Sequence, residues 1–120
     1  MSLLSKDRQI LEHILQYCRK IDRTVDRFGN SFSAFSNDSD YADSVGMNLL
    51  QIGELAGRFS EEFVAQSKVL GVNWRAIKNM RNMFAHDYGA MDMERIWVTV
   101  TEDVPELERF CEGQLGEDCQ

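Results

Sequence analysis

The sequence predicts an all-α fold, an up-and-down bundle of four long helices and one short one. Three observations carry the prediction. Apolar residues recur at alternating steps of three and four through most of the chain, no segment alternates with a strand's period of two, and capping residues and glycines fall where the apolar stripes begin and end. The 120 residues, 43% of them apolar, suffice for one core and not for two. Residues 1–115 are therefore expected to form a single domain, and 116–120 a frayed acidic tail.

In the first helix Leu11, Ile14, Cys18, Ile21, Val25 and Phe28 share one face. Ser5 as N-cap and Gly29-Asn30 as stop place it at 6–28. The following "NSFSAFSNDSD" is rich in turn formers, and its Phe32 and Phe35 predict a loop packed onto the domain. A second helix is expected from near Asp40 to about Phe59, striped by Tyr41, Val45, Leu49, Ile52, Ala56 and Phe59. Its Gly46, Gly53 and Gly57 each cost roughly 1 kcal/mol against alanine in a helix interior. Their nearly common face reads either as close helix-to-helix approach or as room for a ligand or partner subunit.

Ser60 before "EEF" caps a short helix that ends near Gly71. Asn73 caps the next, with Trp74, Ile77, Met80 and Phe84 on its inner face and Gly89 soon after its end. The last helix starts near Asp92 and carries Met93, Ile96, Trp97, Val100, Val104, Leu107 and Cys111. Pro105 inside that pattern predicts a kink or two abutting helices.

The formal charge of −7 argues against non-specific nucleic-acid binding by the body as a whole. Its distribution is uneven. Residues 1–62 carry 7 basic and 10 acidic side chains and residues 87–120 carry 2 and 10, whereas residues 63–86 hold Lys68, Arg75, Lys78 and Arg81 with no acid. No apolar run approaches the ~20 residues of a membrane span and the N-terminus turns polar too early for a signal peptide, so a cytoplasmic protein is expected. Cys18, Cys111 and Cys119 lack C-x-x-C spacing, which favours reduced thiols over disulfides or zinc, the first two in or near the core.

The basic stretch ends in "RNMFAHDYG", residues 81–89. If the helix persists, Arg81 lies over Tyr88, Lys78 beside Arg81, and Asn82 beside His86. Arginine offers a planar fork of donors to a phosphate, histidine takes and gives a proton near neutrality, asparagine orients either, and tyrosine donates a hydrogen bond or accepts a modification. That inventory suffices for metal-independent RNA cleavage, in which a 2′-hydroxyl attacks its own phosphodiester, and it lacks the carboxylates of a two-metal nuclease. An Arg with a His five places on arises by chance with a probability of about 0.15 in this composition, and the set with Asn and Tyr at about 0.0002. A structural alternative stands beside the catalytic one: His86 capping the last carbonyls, Arg81 paired with Asp87 or a neighbouring acid, and Tyr88 packing.

These residues resemble the HepT-like branch of the HEPN superfamily, whose motif is R-x-x-x-x-H-x-Y, here Arg81 to Tyr88. "LLQIGELA" (49–56), "NWRAIKNMRN" (73–82) and "DMERIWVTVTEDVPEL" (92–107) resemble that family's second, motif and last helices. The resemblance implies a homodimeric RNA endonuclease toxin of a toxin-antitoxin pair, needing no cofactor and no metal. Arg81 would bind the scissile phosphate, His86 would act as general acid or base, and Asn82 and Lys78 would support them, with Arg75 adding positive charge. It further implies an MNT-type nucleotidyltransferase antitoxin that attaches AMP to Tyr88, blocking the RNA phosphate by bulk and charge. Dimers assembling further with that antitoxin are compatible with it. An interaction module that docks and is modified by a nucleotidyltransferase, with little catalysis of its own, is the competing function.

Other chemistries fit poorly. A di-metal bundle needs Glu-x-x-His pairs, and Ile10 and Met83 stand three before His13 and His86. No G-x-S-x-G or P-loop is present. His13 reads as a surface or subunit-contact residue. Glu54 is expected to salt-bridge Arg81 or Lys78, with a catalytic role as the alternative.

Overall fold

The stripe of the first helix, α1 (Ser5–Phe28), organises the molecule: Leu11, Ile14, Cys18 and Ile21 are fully buried, as their spacing requires. The computed structural model describes residues 3–85 and 93–118, and every regular element among them is helical. The expected cap at Ser5 is corrected. The Arg8 N–H closes on the Leu4 carbonyl at 2.9 Å, so the first turn starts a residue early and Ser5 is already helical. The polar work at this end falls to Asp7, which is buried and accepts from the Ser60 backbone N–H at 2.8 Å and its hydroxyl at 2.6 Å.

The turn formers at 30–40 do not make a loop. Ser31 Oγ accepts from the Ala34 N–H at 3.1 Å and starts α2 (Phe32–Asn37). Asp38 Oδ1 accepts from the Asp40 and Tyr41 N–H groups at 2.9 and 3.3 Å and starts α3 (Ser39–Ala56). The same short side chains that build turns serve here as two successive N-caps. Phe35 is buried, edge-on to Tyr41, while Phe32 stays 36% exposed, so only one of the two phenylalanines packs down. The Tyr41 hydroxyl in turn donates to the Gly29 carbonyl at 3.0 Å, where α1 ends.

Helix α3 stops at Ala56, short of the expected Phe59, because Ser60 already caps α4 (Glu61–Val69) through the Phe63 N–H at 3.1 Å. Phe59 is nonetheless buried, in a cluster with Phe63, Trp74 and Phe110. Asn73 Oδ1 accepts from the Ala76 N–H at 3.1 Å, the predicted cap of α5 (Trp74–Ala85). The Trp74 indole N–H donates to Ser67 Oγ, so the start of α5 is anchored in α4 by a polar as well as an aromatic contact.

The Pro105 anomaly resolves into two abutting helices, α6 (Met93–Val98) and α7 (Val104–Asp118), joined by a π-helical segment, Thr99–Asp103. Proline lacks the N–H that the carbonyl four residues earlier would receive. The ladder widens just before it, and the Val104 N–H reaches the Thr99 carbonyl five residues back. Helix α7 runs on to Asp118, into the stretch expected to be frayed.

Helix α1 packs on α3 and α7, and α3 forms its most extensive contact with α5. Cys18 and Cys111 lie buried in this core; burial pushes the Cys18 thiol up and the Cys111 thiol up to about 12, so neither offers a thiolate near neutrality. Among the described residues no helix is long and apolar enough to cross a membrane.

Candidate functional site

Helix α5 sorts its side chains by period. Trp74, Ile77 and Met80 are buried, which leaves Arg75, Lys78, Asn79, Arg81 and Asn82 exposed on the faces between them. The seam with α3 is unusually close at one point. A Cβ added to Gly53 would fall 2.6 Å from the Arg81 backbone nitrogen, 2.7 Å from its Cβ and 3.0 Å from the Lys78 carbonyl oxygen. Only glycine permits this approach, which realises the helix-contact reading of Gly53.

Just beyond that contact, Glu54 Oε1 lies 3.2 Å from Arg81 Nε. The structural salt bridge expected of Glu54 is therefore formed, and to Arg81. Pairing through Nε engages one edge of the planar guanidinium, and the end-on edge between its two terminal nitrogens keeps donors for an anion. The Asn82 amide donates to Asn79 Oδ1 at 3.0 Å, holding two polar side chains of α5 side by side.

A groove of about 570 Å³ opens along this seam, walled by Glu54 and Arg58 on the α3 side and by Arg75, Lys78, Asn79, Arg81 and Asn82 on the α5 side, with Gly53 and Gly57 as its floor. Four cations and one acid thus line one concavity on a chain of charge −7. Such a local field attracts phosphate although the whole molecule is acidic.

Of the residues singled out in the sequence, the structure brings together Arg81, Asn82, Lys78, Arg75 and Glu54. His86 and Tyr88 lie outside the described residues, and with them the expected Asn82–His86 and Arg81–Tyr88 neighbours and the alternative Arg81–Asp87 pair. His13 is exposed on α1, as expected. Sequence reasoning missed Arg58 and Asn79. A signal existed for Arg58: it stands four residues after Glu54, on the same side of the α3 path.

Comparison with known proteins adds to this geometry. The family described as "Ribonuclease HepT-like" matches residues 14–113. The chain is 34% identical over 102 residues to "Putative RNase TTE0752" of Caldanaerobacter subterraneus subsp. tengcongensis, spanning 85% of this chain and 88% of that one. It is 30% identical over 116 residues to "Putative RNase MJ0127" of Methanocaldococcus jannaschii, spanning 92% of each. A further protein of that organism, "Putative RNase MJ1380", is 26% identical over 92 residues, 69% of this chain and 83% of its own length. No solved structure matches.

Proposed function

The chain belongs to the HepT-like ribonuclease family, and on that premise we propose that it is a metal-independent RNA endonuclease, the toxin of a pair whose antitoxin is an MNT-type nucleotidyltransferase. The observation that carries the reading is the cationic groove centred on Arg81, five residues before His86 in the family motif.

The chemistry follows from the residue types. The 2′-hydroxyl of one nucleotide loses its proton to a general base and its oxygen attacks the adjacent phosphorus. The P–O5′ bond breaks, and the departing O5′ takes a proton from a general acid. The products are a 2′,3′-cyclic phosphate and a 5′-hydroxyl. Arg81 stabilises the charge that builds on the non-bridging oxygens, and His86 serves in proton transfer. One chain brings one histidine to the motif, while the reaction uses a base and an acid. A two-fold dimer with motifs meeting across its interface supplies both.

Transfer of AMP to Tyr88 by the antitoxin would bring a bulky anion to the motif that handles the RNA phosphate. This gives the modification an electrostatic as well as a steric route to inhibition.

The test is cleavage of RNA in the presence of EDTA by wild type, Arg81→Ala, His86→Ala and Tyr88→Phe. The reading expects activity in wild type and Tyr88→Phe and its loss in the other two. Activity abolished by chelation, or undiminished in His86→Ala, overturns it. For the antitoxin, incubation with the nucleotidyltransferase and ATP should add the mass of AMP to wild type and not to Tyr88→Phe.

A further inference from the structure

The groove has more cations than one scissile phosphate needs, and one of them comes from a different element. Arg58 follows the end of α3, where its N–H bonds the Leu55 carbonyl at 3.0 Å, a last tight turn that keeps it on the helix path. It is exposed and lines the groove opposite Arg75 and Lys78. Among the described residues Arg58, Arg75 and Lys78 form no ion pair, in contrast to Arg81, which Glu54 engages. At Gly57 the floor between the walls is open. A Cβ at Gly57 would meet only the Glu54 carbonyl oxygen of its own helix, at 3.5 Å.

We propose that Arg58, with Arg75 and Lys78, forms a second phosphate-binding subsite, which holds the backbone phosphate next to the one at Arg81 on single-stranded RNA. The inference rests on the ribonuclease reading for the identity of its ligand and adds to it a residue and a contact. Guanidinium forks from two walls suit a tetrahedral phosphate better than the flexible point charge of lysine alone. The described lining contains no aromatic side chain on which a base stacks. The subsite therefore reads the sugar-phosphate chain and not the base, positioning the strand without adding sequence preference.

The test is binding of a fluorescent single-stranded 2′-O-methyl oligonucleotide, which lacks the attacking hydroxyl and stays intact. It is measured from low to moderate salt with wild type, Arg58→Ala, Arg58→Lys, Gly57→Glu and, as a control at an exposed position of α1 outside the groove lining, Arg23→Ala. On single strands each phosphate neutralised contributes about −0.7 to the slope of log K against log salt. Arg58→Ala should weaken low-salt binding about three- to tenfold and flatten the slope by about 0.7, with Arg58→Lys restoring the slope. Gly57→Glu, which sets a carboxylate on the groove floor at an ordinary helical backbone angle of φ −73°, should weaken it at least as much. Arg23→Ala should bind as wild type.

Equal binding by Arg58→Ala and Arg23→Ala, a weakened affinity with unchanged slope, or no binding by wild type at low salt overturns the subsite. So does ATP binding more tightly than the oligonucleotide, which would assign the groove to a nucleoside triphosphate. Cleavage of unmodified RNA in EDTA is scored separately. Arg58-dependent binding without cleavage sinks the nuclease reading and keeps the subsite, and cleavage without Arg58-dependent binding does the reverse.

Discussion

Glu54 Oε1 and Arg81 Nε meet at 3.2 Å across the α3–α5 seam, one residue past the glycine on which the two helices touch. With 39% and 51% of the two side chains exposed, the pair contributes at most about 1 kcal/mol to stability. Its consequence lies in orientation, because it holds the Nε edge of the guanidinium against Glu54.

Glu54→Gln is therefore expected to lower kcat for RNA cleavage about tenfold while KM stays level or falls, since an acid leaves the cationic groove. Glu54→Asp should recover part of the rate. Steady-state kinetics with a thermal unfolding curve check this. A large drop in Tm with KM rising in step would make Glu54 a purely structural residue.

Gly53 within α3 and Gly57 at its C-cap should respond oppositely. Gly53→Ala drives a methyl against the backbone of α5, which cannot swing aside, and should cost about 1–3 kcal/mol in urea unfolding. Gly57→Ala has ordinary contact only and helical backbone angles, so it should be neutral or stabilise by about 0.5 kcal/mol.

Asp7 ties the first turn of α1 to the cap of α4 through both Ser60 donors. Asp7→Ala leaves those groups without their acceptor and should cost about 2–3 kcal/mol. Ser60→Ala should cost about 1–2 kcal/mol, and the double variant less than the total of the two, because they share a bond. Chemical denaturation of the four proteins closes the cycle.

Glu108 on α7 faces Asp22 of α1. A hydrogen bond with Asp22, then burial and the negative charges of Asp22 and Glu112, raise its carboxyl from the ordinary range to about 7, against a small opposing effect of Arg19. The folded state thus binds this proton more tightly than the unfolded chain does. The stability it contributes is complete below about pH 4.5 and is lost as pH rises through about 7. Thermal unfolding from pH 5 to 8 should show Tm falling across that window, and Glu108→Gln should flatten the fall and raise Tm at pH 8.

Much of this was legible in one dimension. The stripes of α1, α3 and α5 and the caps at Ser60 and Asn73 follow from spacing and residue type, because hydrogen bonds and side-chain neighbours within a helix are set by residues three or four apart. The same local chemistry misled at Ser31 and Asp38, whose side chains cap two helices in place of making a loop, since a capping bond and a turn bond use the same oxygen. The break before Pro105 was visible, but not its form as a π segment.

What the sequence by itself determined is the class of fold and the sorting of α5 into an apolar inner face and a cationic outer one. What only the tertiary structure decided is which groups from other helices meet that outer face: Gly53 beneath Arg81, Glu54 on its Nε, and Arg58 across the groove from Arg75 and Lys78. The physical reason is the range of the interactions. Helical periodicity acts over four residues, whereas the register of α3 on α5 is set by how two surfaces pack, and that is a property of the assembled core.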